Sequence, residues 1–133
     1  MGKKGNKLLK KAVVFLDLYL PPVCYAGLIF LLSSRNYPSV NLSHGLDKVV
    51  HLSLYSGFGY LVLRALRRTY QPRQAKLLCL MIVFLYGITD EFHQSFVPGR
   101  SFEVLDMASD GLGGVLAVVI CSLADRYGWP IWL

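Results

Sequence analysis

The chain has 133 residues, 54% of them hydrophobic, and a mean hydropathy of +0.45. That is one domain's length of sequence and too apolar for a soluble domain of this size, so the bilayer is its natural solvent. The net charge of +6 does not point to nucleic acid, because the basic residues cluster where membrane topology requires them.

Residues 1 to 12 read as a basic cytoplasmic N-terminus, with Lys3, Lys4, Lys7, Lys10 and Lys11 ahead of the first apolar run. This imitates a signal peptide, but no small-residue cleavage site follows and the apolar run continues through Leu32. An uncleaved first span at 13 to 34 is expected. Pro21 and Pro22 are expected to kink or delay that helix, since neither donates a backbone hydrogen bond. Ser33, Ser34 and Arg35 close it.

A second span covers 46 to 66, where Asp47, His51 and Tyr55 recur every four residues and share one helical face. Lys48 lies just inside it. Arg64, Arg67, Arg68, Arg73 and Lys76 fill the connection to a third span at 76 to 96. The last two turns of that span carry Asp90, Glu91, His93 and Gln94, followed by the turn residues Pro98 and Gly99 and then by Arg100. The fourth span, 104 to 123, places Asp106, Ser109 and Asp110 in its first two turns. Ser109, Gly113 and Ala117 form a stripe of small residues that lets a neighbouring helix approach. Residues 124 to 133 form a cytoplasmic or interfacial tail ending in the aromatic anchor WPIWL.

The expected fold is therefore all-α, an integral membrane four-helix bundle whose membrane domain spans 13 to 123. The second connection is rich in basic residues and the other two nearly lack them, which places both termini in the cytoplasm. Cys24, Cys79 and Cys121 lie in three different spans without metal-ligand spacing and read as packing residues.

On this topology three spans carry ionisable groups at one depth, within roughly 6 to 12 Å of the outer end at about 1.5 Å per residue. An ionisable side chain near mid-span costs about 2.5 to 3.5 kcal/mol on insertion scales, and less toward the ends. Capping or snorkelling explains any one of them; Asp106 alone would suit a helix start. Three helices whose periodicity turns such groups toward one another indicate a polar cavity facing outward.

The stretches DKVVHLSLY, TDEFHQSFVPGR and DMASDGLGG, with the preceding SSR, resemble the VanZ-like family of small bacterial membrane proteins over roughly residues 28 to 118. Asp110 departs from that family's pattern, in which asparagine is usual. The resemblance implies a multi-pass protein of the bacterial cytoplasmic membrane and a link to glycopeptide resistance, teicoplanin in particular. It implies no settled reaction, and an envelope housekeeping role fits equally.

The chemistry has to come from the groups themselves. Asp47, His51, Asp90, Glu91 and His93 suit proton transfer, acting on a lipid-linked or other envelope substrate. Gln94, Arg100, Asp106 and Asp110 would orient or bind that substrate, with Tyr55, Lys48 and Arg35 as further candidates. The same acids and histidines suit a divalent metal, although D-E-x-H is not a metal signature. The alternative is a non-catalytic protein that binds or transports a lipid, a peptidoglycan precursor or a glycopeptide. Ser53 and Ser95 are nucleophiles by chemistry only, since hydroxyls in spans ordinarily bond to the helix backbone.

Overall fold

The computed structural model describes residues 3–35 and 45–130, with side chains from Asn6 onward. Four helices follow one another: α1 (Lys3–Ser33), α2 (Leu46–Leu66), α3 (Pro72–Gln94) and α4 (Val104–Tyr127). There is no strand among the described residues. The last three residues of the aromatic tail, 131–133, lie outside them.

Local chemistry sets the helix ends. Gln71 is extended and Pro72 opens α3, where a missing N–H costs nothing. Gly128 ends α4 at φ 68° and returns its N–H to the Ala124 carbonyl. α1 starts at Lys3, well before residue 13, because lysine, leucine and alanine are strong helix formers. Its 31 residues span roughly 46 Å against an apolar bilayer core of about 30 Å, so its lysine-bearing turns have length to spare.

α1 also runs through both of its prolines. Pro21 has no N–H to give the Asp17 carbonyl four residues back. That carbonyl instead accepts from Arg64 Nη1 of α2 at 2.9 Å, while Arg64 Nη2 lies 2.8 Å from Asp17 Oδ2. A neighbouring helix thus satisfies the group that proline orphans.

The most extensive interface joins α2 and α4, and α1 touches α2 and α3 but not α4 among the described residues. Glycine sets how closely α2 and α4 approach. A Cβ at Gly113 would stand 2.7 Å from the Leu52 carbonyl oxygen and 2.9 Å from the Ser56 nitrogen. Gly113 and Ala117 are buried as the small-residue stripe requires, whereas Ser109 turns away and donates to the Leu105 carbonyl. The buried face of α4 continues instead through Asp110 and Asp106.

Tyr55, Phe58, Leu63, Val83 and Cys79 form the centre of the core. Cys79 and Cys121 are buried free thiols, and Cys24 is exposed. Leucines, valines and phenylalanines on the outer surface, such as Leu20, Leu31, Val49, Leu77, Phe84 and Val115, are exposed, as a lipid-facing belt would be. α1, α2 and α4 are long and apolar enough to cross a membrane. α3 is not counted with them: Arg73 and Lys76 at one end and Asp90 and Glu91 at the other dilute its apolar run.

The two ends of the bundle differ in charge. At one end Arg64 pairs with Asp17 at 2.8 Å and Arg67 with Asp125 at 2.7 Å. The other end gathers the acids.

Candidate functional site

The acidic end is built from the last turn of α1, the first turns of α2 and α4, and the last turns of α3. His51, Asp90, Glu91, Gln94, Asp106 and Asp110 are all buried there. Their helical spacing explains this: His51 and Tyr55 repeat at four residues on α2, as Asp90 and Gln94 do on α3 and Asp106 and Asp110 on α4.

Three sets of contacts organise these groups. In the first, Tyr55 Oη donates to Asp90 Oδ2 at 3.2 Å and Gln94 Nε2 donates to the same oxygen at 3.0 Å. In the second, His51 Nδ1 lies 2.9 Å from Asp110 Oδ1, and His51 Nε2 stands 4.0 Å from Asp106 Oδ2. The Glu103 backbone N–H joins this set from the connection before α4, donating to Glu91 Oε2 at 3.0 Å. In the third, Lys48 Nζ is 3.1 Å from Asp47 Oδ2, 2.6 Å from Glu103 Oε2 and 2.6 Å from Asp106 Oδ1.

Beside these sets lies a cavity of about 180 Å³. Asp47, His51, Tyr55, Asp90, Gln94 and Arg100 line it together with apolar Ile29, Leu32, Val50 and Leu54. The Arg100 guanidinium lines it without an ion pair to a carboxylate among the described residues. It follows Gly99, whose φ of 81° makes the turn that brings the chain back over the bundle.

Not every residue singled out in the sequence joins this arrangement. His93 packs against Phe30 of α1 with ring centroids 4.4 Å apart, and its Nε2 lies 3.0 Å from Oγ of Ser34, just past the end of α1. It is a strut between α3 and α1, away from the cavity lining. Arg35 is exposed at the end of α1 and also lies off the cavity, and Lys48 is held by its three carboxylates. Glu103 is the contributor that residue spacing misses. It sits at the N-cap of α4, outside any periodic run, and only its acidic type beside a helix start hints at a role.

Chemically, the site combines a carboxylate held by two donors, a histidine backed by a carboxylate, and a guanidinium at the cavity wall. Ser53 and Ser95 are exposed and give their hydroxyls to the Val49 and Phe92 carbonyls, so neither is placed as a nucleophile. A family model described as VanZ/LLP1 matches residues 10–125 of the chain. No curated protein and no solved structure matches it.

Proposed function

The chain belongs to the VanZ/LLP1 family, and we propose that its cavity receives the head group of a lipid-linked envelope precursor from the outer leaflet of the bacterial cytoplasmic membrane. The family is associated with glycopeptide resistance in general. In this reading, any effect on teicoplanin arises through the envelope precursor.

The observation that carries the proposal is the mixed lining of the cavity. Ile29, Leu32, Val50 and Leu54 offer apolar surface beside Asp47, His51, Asp90, Gln94 and Arg100, the two chemistries an amphiphile presents. Size supports a head group over a whole antibiotic: about 180 Å³ is below the roughly 300–1,000 Å³ of sites for drug-sized ligands. Arg100 would grip a phosphate through two parallel hydrogen bonds, which lysine does not reproduce. His51, backed by Asp110, and Asp90, fixed by Tyr55 and Gln94, are the groups suited to move a proton at the bound head group. Asp110 and Asp106 flank His51, and Glu91 holds the Glu103 backbone before α4.

The placement of Ser53 and Ser95 favours a second, binding-only reading over nucleophilic catalysis. Both readings are tested with purified protein in nanodiscs and a polyprenyl pyrophosphate as probe. Arg100→Lys and Arg100→Ala should each weaken binding about tenfold or more, a loss of about 1.4 kcal/mol. Wild-type affinity in Arg100→Lys would refute the anchor, and failure of wild-type protein to bind the probe would refute the head-group reading. His51→Gln and Asp90→Asn separate the alternatives, because a catalytic site loses turnover with binding retained, whereas a binding-only protein shows no turnover to lose.

A further inference from the structure

The acidic end holds two neighbouring groups of potential cation ligands. Asp47, Glu103 and Asp106 form one of them, and Lys48 Nζ already sits among them at 3.1, 2.6 and 2.6 Å. His51, Glu91 and Asp110 form the other, with ligand atoms that all lie within 4.8 Å of one another. Neither Glu91 nor Asp110 pairs with a lysine or arginine among the described residues.

This second group is deeply buried, Glu91 and Asp110 being 0% exposed and His51 9%. Glu91 Oε1 and Asp110 Oδ2 have no hydrogen-bond partner among the described residues. A buried carboxylate oxygen left so is costly, and native structures seldom keep one without a ligand or counter-charge. The other oxygen of each carboxylate is tied back, Glu91 Oε2 by the Glu103 N–H at 3.0 Å and Asp110 Oδ1 by His51 at 2.9 Å. Gly87 packs directly against this side chain: a Cβ there would stand 3.0 Å from Asp110 Cβ and 3.1 Å from Asp110 Oδ2.

We propose that His51, Glu91 and Asp110 bind one divalent transition-metal cation, zinc or manganese. Two carboxylates and a neutral imidazole carry two negative charges, which a divalent ion balances, whereas the three acids of the neighbouring group already hold the single positive charge of Lys48. Imidazole among carboxylates favours these ions over magnesium or calcium, which prefer all-oxygen sites. Bonds of about 2.0–2.2 Å place neighbouring ligand atoms roughly 3 Å apart; His51 Nδ1 and Asp110 Oδ1 stand 2.9 Å apart, so a bound cation would replace the hydrogen bond between them, and a Glu91 oxygen lies within 4.8 Å of both residues' ligand atoms. His51 borders the cavity, which gives an ion a way in. The site does not depend on the head-group reading, and its test contains no lipid substrate; with the ion bound His51 is a ligand, and Asp90, fixed by Tyr55 and Gln94, remains the group suited to move a proton.

The full chain carrying Cys24→Ser, which removes the exposed thiol, is purified in detergent and stripped with EDTA. It is then dialysed against zinc or manganese chloride, and bound metal is measured by mass spectrometry after gel filtration. About one ion per chain is expected. Glu91→Gln and Asp110→Asn should each lower this at least tenfold, whereas Asp125→Asn at the opposite end should not. EDTA should also lower the Tm of the Cys24→Ser chain, and the metal should restore it. Metal retained by both site variants, or none bound by the parent chain, overturns the proposal. Should the site variants not fold, the parent chain decides: a Tm indifferent to EDTA and metal overturns it as well.

Discussion

His51 on α2 and Asp110 on α4 meet with 2.9 Å between Nδ1 and Oδ1, although 59 residues separate them in the chain. The bond crosses the interface that Gly113 brings close, so it links bundle packing to the site. Asparagine at position 110 keeps an oxygen to accept from the imidazole, whereas leucine keeps only the volume. Asp110→Leu should cost about 1–3 kcal/mol of stability by leaving a buried donor unpaired. Asp110→Asn should cost clearly less in the same detergent unfolding assay. Equal losses would mean that charge at Asp110, and not the hydrogen bond, secures the contact.

The sequence tells much of this because spans are continuous apolar runs, although α3 starts at Pro72 rather than at the expected 76 and α4 runs to Tyr127 rather than to 123. The inward face of α2 follows from the four-residue spacing of Asp47, His51 and Tyr55, all of which line the cavity. What spacing does not contain is the partner of each face. His51 finds Asp110 across the interface that Gly113 brings close, while Tyr55 finds Asp90 and His93 finds Ser34 across other interfaces that the spacing does not specify. Ser109 lies on the expected stripe by count, yet the drift of a 3.6-residue helix rotates it off the face that Asp106 and Asp110 share. Glu103 lies in a connection, where no periodicity applies, and its reach to Lys48 depends on the turn at Gly99.

Lys48 pairs with three acids, of which only the Asp106 side chain, at 6% exposure, is well buried. Lys48→Met should therefore destabilise the protein by about 1–3 kcal/mol, below the loss for a fully buried ion pair, because Asp47 and Glu103 keep contact with solvent. Adding Asp106→Asn should recover part of that loss. A double variant no more stable than Lys48→Met would show that lysine acts through packing of its stem.

Two glycines offer a controlled comparison of backbone approach. At Gly113 a Cβ would meet the Leu52 carbonyl oxygen at 2.7 Å, and backbone cannot step aside as a side chain can. At Gly27 nothing lies within 4 Å. Gly113→Ala should cost about 1–3 kcal/mol through overpacking. Gly27→Ala should be neutral or stabilise by up to about 1 kcal/mol through helix propensity. Thermal unfolding of the two variants checks the contrast, and similar shifts for both would contradict the close α2–α4 approach.

Arg64 serves the Asp17 carbonyl that Pro21 leaves without a partner. Restoring the amide by Pro21→Ala gives that carbonyl its own helical donor, so the arginine should matter less in that background. Arg64→Ala is expected to cost about 1 kcal/mol more in the wild type than beside Pro21→Ala, a coupling in the range found for residues that share one hydrogen bond. Additive effects in this double-mutant cycle would separate the proline from the arginine. The salt bridge to the exposed Asp17 carboxylate would then account for what Arg64 contributes.

Orientation in the bilayer follows from the opposite characters of the two ends. Arg64, Arg67, Arg68, Arg73 and Lys76 gather around the α2–α3 connection, and the α3–α4 connection carries Arg100 alone. By the positive-inside rule we propose that the basic end faces the cytoplasm and that the cavity with its acids faces out. Gln71 and Ser101 are exposed on these two connections, so a cysteine at either is open to reagent once its side of the membrane is reached. In a background with Cys24→Ser, Ser101→Cys should react with a membrane-impermeant maleimide in intact cells, and Gln71→Cys only after the cells are permeabilised. The reverse pattern would put the cavity on the cytoplasmic side, where an outer-leaflet precursor could not enter it. The proposed occupant would then have to be a substrate delivered from the cytoplasm.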